Sequence, residues 1–180
     1  LYANGTLIGV ASLLHPDEND PYSPHDIEVF EYVCQQISLA IDRRRTQEAL
    51  LTEQRLFAAL MEHSPDTIYL KDLESRFLRV NAVCSRILGL ERPEEAVGLT
   101  DADIYPDGRS EVFRAEERAV METGDAIVGR VSTDHDGAWV SVTKAPLRDE
   151  AGAVVGLVGV NRDVSDAMRA QEALREREGE

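Results

Sequence analysis

Two basic residues lie in runs that are otherwise suited to buried strands. In the predicted strand from Ala138 to Leu147, alternation places Lys144 on the same face as Val140 and Val142. If that face points inward, Lys144 would suit a carboxylate ligand, and so would Arg130 on the preceding predicted strand. The alternative is that both are strand-face charges, with apolar stems packed on the sheet and charged ends in water.

Aromatic residues present a similar choice. Tyr69, Tyr105 and Trp139 could enclose a small molecule, and the alternative is that they pack in the core. The candidate ligand pocket is assigned to Lys144, Arg130, Val140, Val142 and Tyr105. We expect either a small, anionic ligand there or no ligand at all.

The sequence offers no positioned catalytic set. His63 stands beside Ser64 and Asp66, but this placement at a helix end does not establish the geometry of a nucleophile and its base. Asp and Glu are plentiful, and most are expected on solvated faces. We therefore predict that this sequence is not an enzyme by itself.

The cysteines and histidines do not follow a metal-binding pattern. Cys34 and Cys84 each lie in an apolar helical pattern without CxxC spacing, and the four histidines are scattered. We predict no metal site. Reduced, apolar cysteines of this kind favour a reducing compartment, so a cytoplasmic location is expected.

Composition narrows the function classes further. The chain has 180 residues, 43% of them hydrophobic, and its 19 Lys+Arg against 34 Asp+Glu give a formal net charge of -15. An excess of acid this large repels phosphate backbones, so nucleic-acid binding is disfavoured. The longest apolar run, Ala153 to Val160, is too short to cross a bilayer, so no membrane segment is predicted.

A long helix is predicted before the strands. Ser23-Pro24 gives an N-cap followed by proline, and neither glycine nor proline occurs between Asp26 and Ser64, so the helix should span about 24–62. Apolar residues recur at the alternating steps of three and four that are typical of a coiled-coil seam. The seam residues are Ile27, Phe30, Cys34, Ile37 and Ile41. We predict that they pair with their own copies in a parallel homodimer.

The segment before that helix is predicted to contain a hairpin. Asn4-Gly5 indicates a tight turn, followed by a strand over Thr6 to Leu13 and a loop from His15 to Pro24. The partner of this strand is expected to lie mostly before Leu1. With no initiating methionine, the sequence is expected to be a piece of a longer protein.

The central region alternates strands with short helices. The predicted strands are Thr67–Asp72, Phe77–Asn81, Ala126–Thr133, Ala138–Leu147 and Ala153–Asp163, with Asp136-Gly137 in one turn. Asn81 should cap a helix over Ala82–Leu88, and after a loop to Gly108, Ser110 should cap a second helix over Glu111–Glu122. The order β-β-α-α-β-β-β predicts an α+β fold, a five-stranded antiparallel sheet with its helices on one face.

This order of elements resembles a PAS sensory domain over about Met61 to Met168. The match is carried by Ser64–Asp72, Phe77–Asn81, Gly89, Val97–Asp101, Thr123–Gly124, Trp139, Lys144–Asp149, Gly152 and Gly156–Asp163. Residues 1–45, through Gly5–Val10 and Tyr22–Asp26, resemble the last strand and last helix of a GAF domain. The organisation implied is a GAF fragment at 1–45, a signalling helix at 24–62, a PAS domain at 63–164 and the start of an exit helix at 165–180.

The resemblance also bears on output and cofactors. PAS and GAF domains are input modules of bacterial signalling proteins, which implies an output domain after Glu180: a histidine kinase, a diguanylate cyclase or a phosphodiesterase. Flavin-binding members carry their cysteine in an Asn-Cys-Arg motif of a central helix, whereas Cys84 lies in the first helix. Haem-binding members need an axial histidine, which Glu111–Glu122 lacks. No flavin or haem is expected.

Family members share an Asp-(Ile/Val)-Thr motif that locks the last strand to the outgoing helix. It stands here as Asp163-Val164-Ser165, and the resemblance implies that these residues transmit the signal. The alternative is that Asp163 or Ser165 is only an N-cap.

The function that the resemblance implies is a cytoplasmic input module. It would perceive a small ligand or a partner and transmit the signal through dimeric coiled-coil helices by a change in helix register. The rival hypothesis is a passive dimerisation spacer that binds no ligand.

Overall fold

The computed structural model describes residues 1–3, 5–14, 22–105, 108–133 and 137–178. The chain divides into two compact units, Leu1–Ala58 and Ala59–Glu180. The predicted turn residues Asn4 and Asp136, and the predicted loop at 15–21, lie outside the described residues.

The first unit consists of a small hairpin and most of a long helix. Strands β1 (Tyr2–Ala3) and β2 (Thr6–Leu7) pair antiparallel, and helix α1 spans Pro24–His63. The predicted strand over Thr6 to Leu13, with a partner mostly before Leu1, was wrong: β2 is only two residues long and pairs with β1. The hairpin turns at Gly5, whose φ of 77° suits glycine, and beyond the paired residues the Ile8 backbone donates to the Leu1 carbonyl at 2.9 Å.

Helix α1 starts where the cap predicts. The Ser23 side chain accepts a hydrogen bond from the Asp26 backbone at 3.3 Å, and the Asp26 carboxylate accepts one from the Ser23 backbone at 2.9 Å. Of the predicted seam residues, Ile27 and Ile37 are exposed, whereas Phe30, Cys34 and Ile41 are half-buried. Cys34 lines an open cleft with Leu1 and Tyr2, so part of the seam is covered within this unit.

The second unit is built on a five-stranded antiparallel sheet, which confirms the α+β fold class. Its strands are β3 (Thr67–Lys71), β4 (Phe77–Val80), β5 (Ile127–Thr133), β6 (Trp139–Arg148) and β7 (Val154–Asp163). The spatial order is β4-β3-β7-β6-β5. The first and last strands along the chain, β3 and β7, are therefore neighbours.

The helices of this unit are α2 (Ala82–Ile87), α3 (Asp101–Ile104), α4 (Arg109–Thr123) and α5 (Ser165–Glu178), with a 3₁₀ turn at Pro93–Ala96. The predicted cap of α2 is confirmed, because Asn81 Oδ1 accepts a hydrogen bond from the Cys84 backbone at 2.9 Å. The predicted Ser110 cap of α4 was wrong. Gly108, with a φ of 86°, is the N-cap, and Ser110 lies inside the first turn.

The core lies between the sheet and the short helices. Its buried residues are Tyr69, Phe77, Val80, Cys84, Ala96 and Leu157. Tyr69 lies against Gly159 of the neighbouring strand, where a Cβ would overlap the tyrosine ring. Gly159 is therefore required for the Tyr69 ring to lie across β7 on the face of the sheet.

Candidate functional site

Helix α4 carries adjacent glutamates that bind different strands of the sheet. Glu117 pairs with Lys71 of β3, and Glu116 pairs with Lys144 of β6 and Arg130 of β5. We call Lys71, Asp101 and Glu117 the buried cluster, and Glu116, Lys144 and Arg130 the rim cluster. Because consecutive helix residues point about 100° apart, the pair can contact two parts of the sheet.

The buried cluster is almost free of solvent contact. Lys71 Nζ donates to Glu117 Oε1 at 2.6 Å and also pairs with the Asp101 carboxylate. The side chains of Lys71 and Glu117 are each 1% exposed, and that of Asp101 is 10% exposed. Lys71 Nζ also lies 4.3 Å from the centre of the Phe77 ring, which adds a cation–π contact.

Elements from three parts of the chain assemble this cluster. Lys71 follows Thr67 and Tyr69 in the alternation of β3, and all three are buried. Asp101 is the first residue of α3, which is held by a capping box between Thr100 and Asp103.

Burial and charge change the chemistry of two neighbouring side chains. Burial, followed by the charges of Glu117 and Asp101, raises the pKa of the Tyr69 hydroxyl well above its ordinary value. Burial raises the pKa of the Cys84 thiol to about 12, although the charge of Lys71 lowers it. Cys84 is therefore a protonated, unreactive core residue rather than a nucleophile.

The rim cluster forms the same kind of ion pairs, but two of its three side chains are more exposed to solvent. Glu116 Oε2 accepts from Lys144 Nζ at 2.9 Å, and Glu116 Oε1 accepts from Arg130 Nη2 at 2.5 Å. The Lys144 side chain is 4% exposed, whereas those of Glu116 and Arg130 are 24% and 45% exposed. Burial alone would raise the pKa of Glu116, but hydrogen bonds and charges from Lys144 and Arg130 outweigh it, so the pKa lies below its ordinary 4.5.

An aromatic pair lies beside the rim cluster. The Phe113 ring of α4 is 5.7 Å from Lys144 Nζ, and its centre is 6.4 Å from that of Tyr105 in an edge-to-face arrangement. Three of the predicted pocket residues, Lys144, Arg130 and Tyr105, are thus linked through α4. Val142 is buried and Val140 half-buried on the same strand.

The sequence analysis did not identify Lys71 or the carboxylates that pair with the cations. Lys71 could have been found from its inward parity after Thr67 and Tyr69. The acidic partners Glu116 and Glu117 lie in a helix rich in charge, where the sequence does not distinguish buried from exposed carboxylates.

The last strand and the exit helix are joined through three predicted residues. Asp163 Oδ1 accepts from the Ser165 backbone at 2.8 Å, and Ser165 Oγ accepts from the Trp139 backbone at 3.0 Å. The Val164 backbone donates to the Trp139 carbonyl at 2.8 Å. Hydrogen bonds from the hydroxyl and backbone of Ser165 lower the pKa of Asp163.

A second link joins the entry and exit of this unit. Arg162 on β7 binds Asp66 through two nitrogens, with the shortest distance 2.8 Å from Nη2 to Oδ2. Asp66 lies between the end of α1 at His63 and the start of β3 at Thr67. Asp66 is three residues after the end of α1, and Arg162 is three residues before the start of α5. The ion pair between them therefore joins the end of the incoming helix to the start of the outgoing helix.

Two negative observations concern the described residues. No group of three His, Cys, Asp or Glu in them is placed to hold a metal ion. None of their helices combines the length and apolar character needed to span a membrane.

Comparison with curated proteins gives relatives in signalling. The methanogenesis regulatory histidine kinase FilI of Methanothrix harundinacea is 32% identical over 136 residues, which cover 73% of this chain and 15% of FilI. The aerobic respiration control sensor protein ArcB of Escherichia coli is 25% identical over 119 residues, 64% of this chain and 15% of ArcB. This chain thus spans about a seventh of these relatives.

Solved structures with the same fold include a dimeric receptor. VqmA of Vibrio cholerae is 30% identical, with 61% of this chain and 51% of that chain covered and a TM-score of 0.53. The phage VqmA–DPO complex is 27% identical, with 73% and 62% covered and a TM-score of 0.55.

The family assignment rests on the fold and on the residues matched. Residues 61–169, which include all five strands of the large sheet, match the family described as the PAS fold. This range agrees with the predicted 61–168. The chain belongs to the PAS family, and its second unit is a PAS domain related to those of sensor histidine kinases.

Proposed function

We propose that this chain is a sensory input module of a signal-transduction protein, perceiving a small ligand or partner and passing the signal to a C-terminal output domain. The observation that carries the proposal is the attachment of both helices at the same end of the central strand β7. Asp66–Arg162 holds the end of α1, and Ser165–Trp139 holds the start of α5. A shift of β6 or β7 would therefore move the start of α5.

The output is proposed to be a histidine kinase, since the relative FilI is a regulatory histidine kinase. Cyclic-di-GMP synthesis or hydrolysis is the alternative output. We further propose that residues 1–45 are the end of a GAF domain and that the module is cytoplasmic. A small ligand is supported by the phage VqmA–DPO complex, in which a related fold binds DPO.

Replacing Asp163 tests transmission. In the full-length protein, Asp163→Ala should leave the melting temperature of the PAS domain nearly unchanged, because Asp163 is exposed and the core does not depend on it. The same substitution should alter the output activity or its response to the signal, because the backbone of Ser165 at the start of α5 loses its hydrogen-bond acceptor on β7. Asp149→Ala, which removes an exposed carboxylate from the turn after β6, is the matched control.

Normal signalling by Asp163→Ala would mean that this residue is an ordinary cap. The rival hypothesis, a passive spacer, would then gain weight. One observation favours that rival: the buried cluster already occupies the space between β3 and α4.

Self-association is the second part of the proposal. Exposed apolar residues continue along α1 beyond the predicted seam, with Leu50, Leu56 and Leu60 each more than half exposed. A narrow apolar seam on a helix of 40 residues is best covered by a second copy, and the related VqmA is described as a dimer.

Ile37→Asp should convert the dimer into a monomer in light scattering at a given concentration, because it places a charge in the seam. Gln36→Asp, at an exposed position one residue away, is the control and should remain dimeric. A wild-type chain that is monomeric at high concentration would contradict the seam.

A further inference from the structure

We propose that Lys144 and Arg130 form a binding site for a small organic carboxylate, and that Glu116 is an internal competitor that occupies the same two cations. This inference rests on the proposed sensing function and specifies the ligand class of the site. The ion pairs of Glu116 thereby become part of the sensing step: the ligand acts by releasing α4 from β5 and β6.

The geometry of Glu116 outlines the ligand. Its two carboxylate oxygens are divided between the cations, one on Lys144 Nζ at 2.9 Å and one on Arg130 Nη2 at 2.5 Å. The two cations lie close together because Arg130 of β5 is the register partner of Val142 of β6. Val142 is two residues before Lys144, so Arg130 and Lys144 share one face of the sheet. A planar carboxylate with two acceptor oxygens matches this arrangement, and a single point charge does not use both donors.

Solvent exposure makes Glu116 exchangeable. Its side chain is 24% exposed, so a displaced carboxylate can return to water and recover its hydration. Lys144 is 4% exposed and would be costly to leave unpaired, so a replacement carboxylate is strongly favoured over an empty site. Glu117 is only 1% exposed, so its carboxylate cannot move into water. Displacement by a ligand is therefore expected only at the rim cluster.

An apolar surface for the rest of the ligand adjoins the cations. Phe113 is 39% exposed and lies on the same helix as Glu116, with its ring 5.7 Å from Lys144 Nζ. Tyr105 packs against its edge. A carboxylate attached to a flat or apolar body would therefore contact Phe113 while its oxygens bind the two cations.

Benzoate and benzamide provide a matched pair of probes with the same ring and different charge. Calorimetric titration and thermal shift are carried out on the 180-residue chain at constant ionic strength. Glu116→Gln should bind benzoate about tenfold more tightly than wild type, because the charged competitor is gone. Adding Arg130→Gln to that variant should remove the gain, and benzamide should not bind any variant at the same concentration.

Glu122→Gln is the control for net charge, because Glu122 is an exposed carboxylate of the same helix. It should bind benzoate as wild type does. If Glu116→Gln is too unstable to study alone, its rescue by benzoate but not by benzamide supports the site. Glu116→Asp, which keeps the charge on a shorter side chain, should then show a smaller gain in affinity.

Equal benzoate affinity in wild type and Glu116→Gln would overturn the proposal, as would equal binding of benzamide. Absence of benzoate binding in Glu116→Gln would also overturn it. These measurements need no output domain, so they are separate from the Asp163→Ala test. If benzoate binding fails these tests but Asp163→Ala alters signalling, the carboxylate site is wrong and the proposed sensory function is still supported.

Discussion

The buried cluster and the rim cluster have the same kinds of groups but opposite surroundings. Each joins a glutamate of α4 to a lysine of the sheet, with a third charged residue completing it. The buried cluster has two carboxylates for one cation, whereas the rim cluster has two cations for one carboxylate. Two adjacent residues of α4 thus attach this helix to the sheet. Glu117 does so at a site that water cannot reach, and Glu116 at a site that water can reach.

Burial, more than the ion-pair distance, therefore decides the role of such a site. A buried ion pair gains little over apolar packing, but removing one partner leaves a charge that water cannot reach. A partly exposed carboxylate such as Glu116 can return to water and be replaced on its cations by another carboxylate at low cost. We therefore assign the buried cluster to holding the fold and the rim cluster to responding to conditions.

The largest effect is expected from removing the buried cation. Lys71→Met should lower the free energy of unfolding by about 3–5 kcal/mol, because Asp101 and Glu117 lose their shared counter-ion. Lys144→Met should lower it by only about 1–2 kcal/mol, because Arg130 still neutralises Glu116. Urea unfolding of the two variants and wild type measures both values.

Equal losses in the two lysine variants would contradict the comparison. Lys71→Met combined with Glu117→Gln should recover part of the lost stability, since it removes one of the two unpaired carboxylates. The second variant separates the charge effect from a change in packing.

Acid should weaken the rim cluster through Glu116. The pKa of Glu116 is lower in the folded chain than its ordinary value, so ionised Glu116 stabilises the fold above pH 4.5 and this contribution is lost as the pH falls through the folded pKa. The stability difference between wild type and Glu116→Gln should therefore shrink below pH 4.5. Unfolding curves at several pH values check this, with Glu122→Gln as the control. A constant difference across that range would show that the ionised form is not favoured.

The smallest effect on stability is expected at the Asp66–Arg162 pair, whose arginine is exposed and whose aspartate is half-buried. Arg162 is mostly exposed, so Arg162→Gln should change the melting temperature by no more than about 2–4 °C. Hydrogen exchange in the first turn of α5 should nevertheless become faster, because the end of β7 loses its attachment to Asp66. Arg169→Gln removes an exposed arginine that pairs with Asp166 on the same helix, and it should not change that exchange to the same extent.

Local signals were sufficient for much of the fold. The runs of strand residues, the Asn81 cap and the order of the elements along the chain predict the five-stranded sheet, because each depends on residues that are near one another along the chain. Local signals failed at the start of α4, where Gly108 rather than Ser110 is the cap, and in the two-residue strands of the hairpin.

The pattern of residues was enough to place Lys144 and Arg130 on neighbouring strands, and Asp163 and Ser165 where the last strand meets a helix. The carboxylates that those cations bind are set by the packing of α4 on the sheet. Glu116 and Glu117 are adjacent in sequence yet differ in side-chain exposure, 24% against 1%, because the helix turns about 100° between them. Asp66 and Arg162 are 96 residues apart and meet because β3 and β7 are neighbours in the sheet. Such pairings depend on how distant elements pack, and no local pattern of residues specifies them.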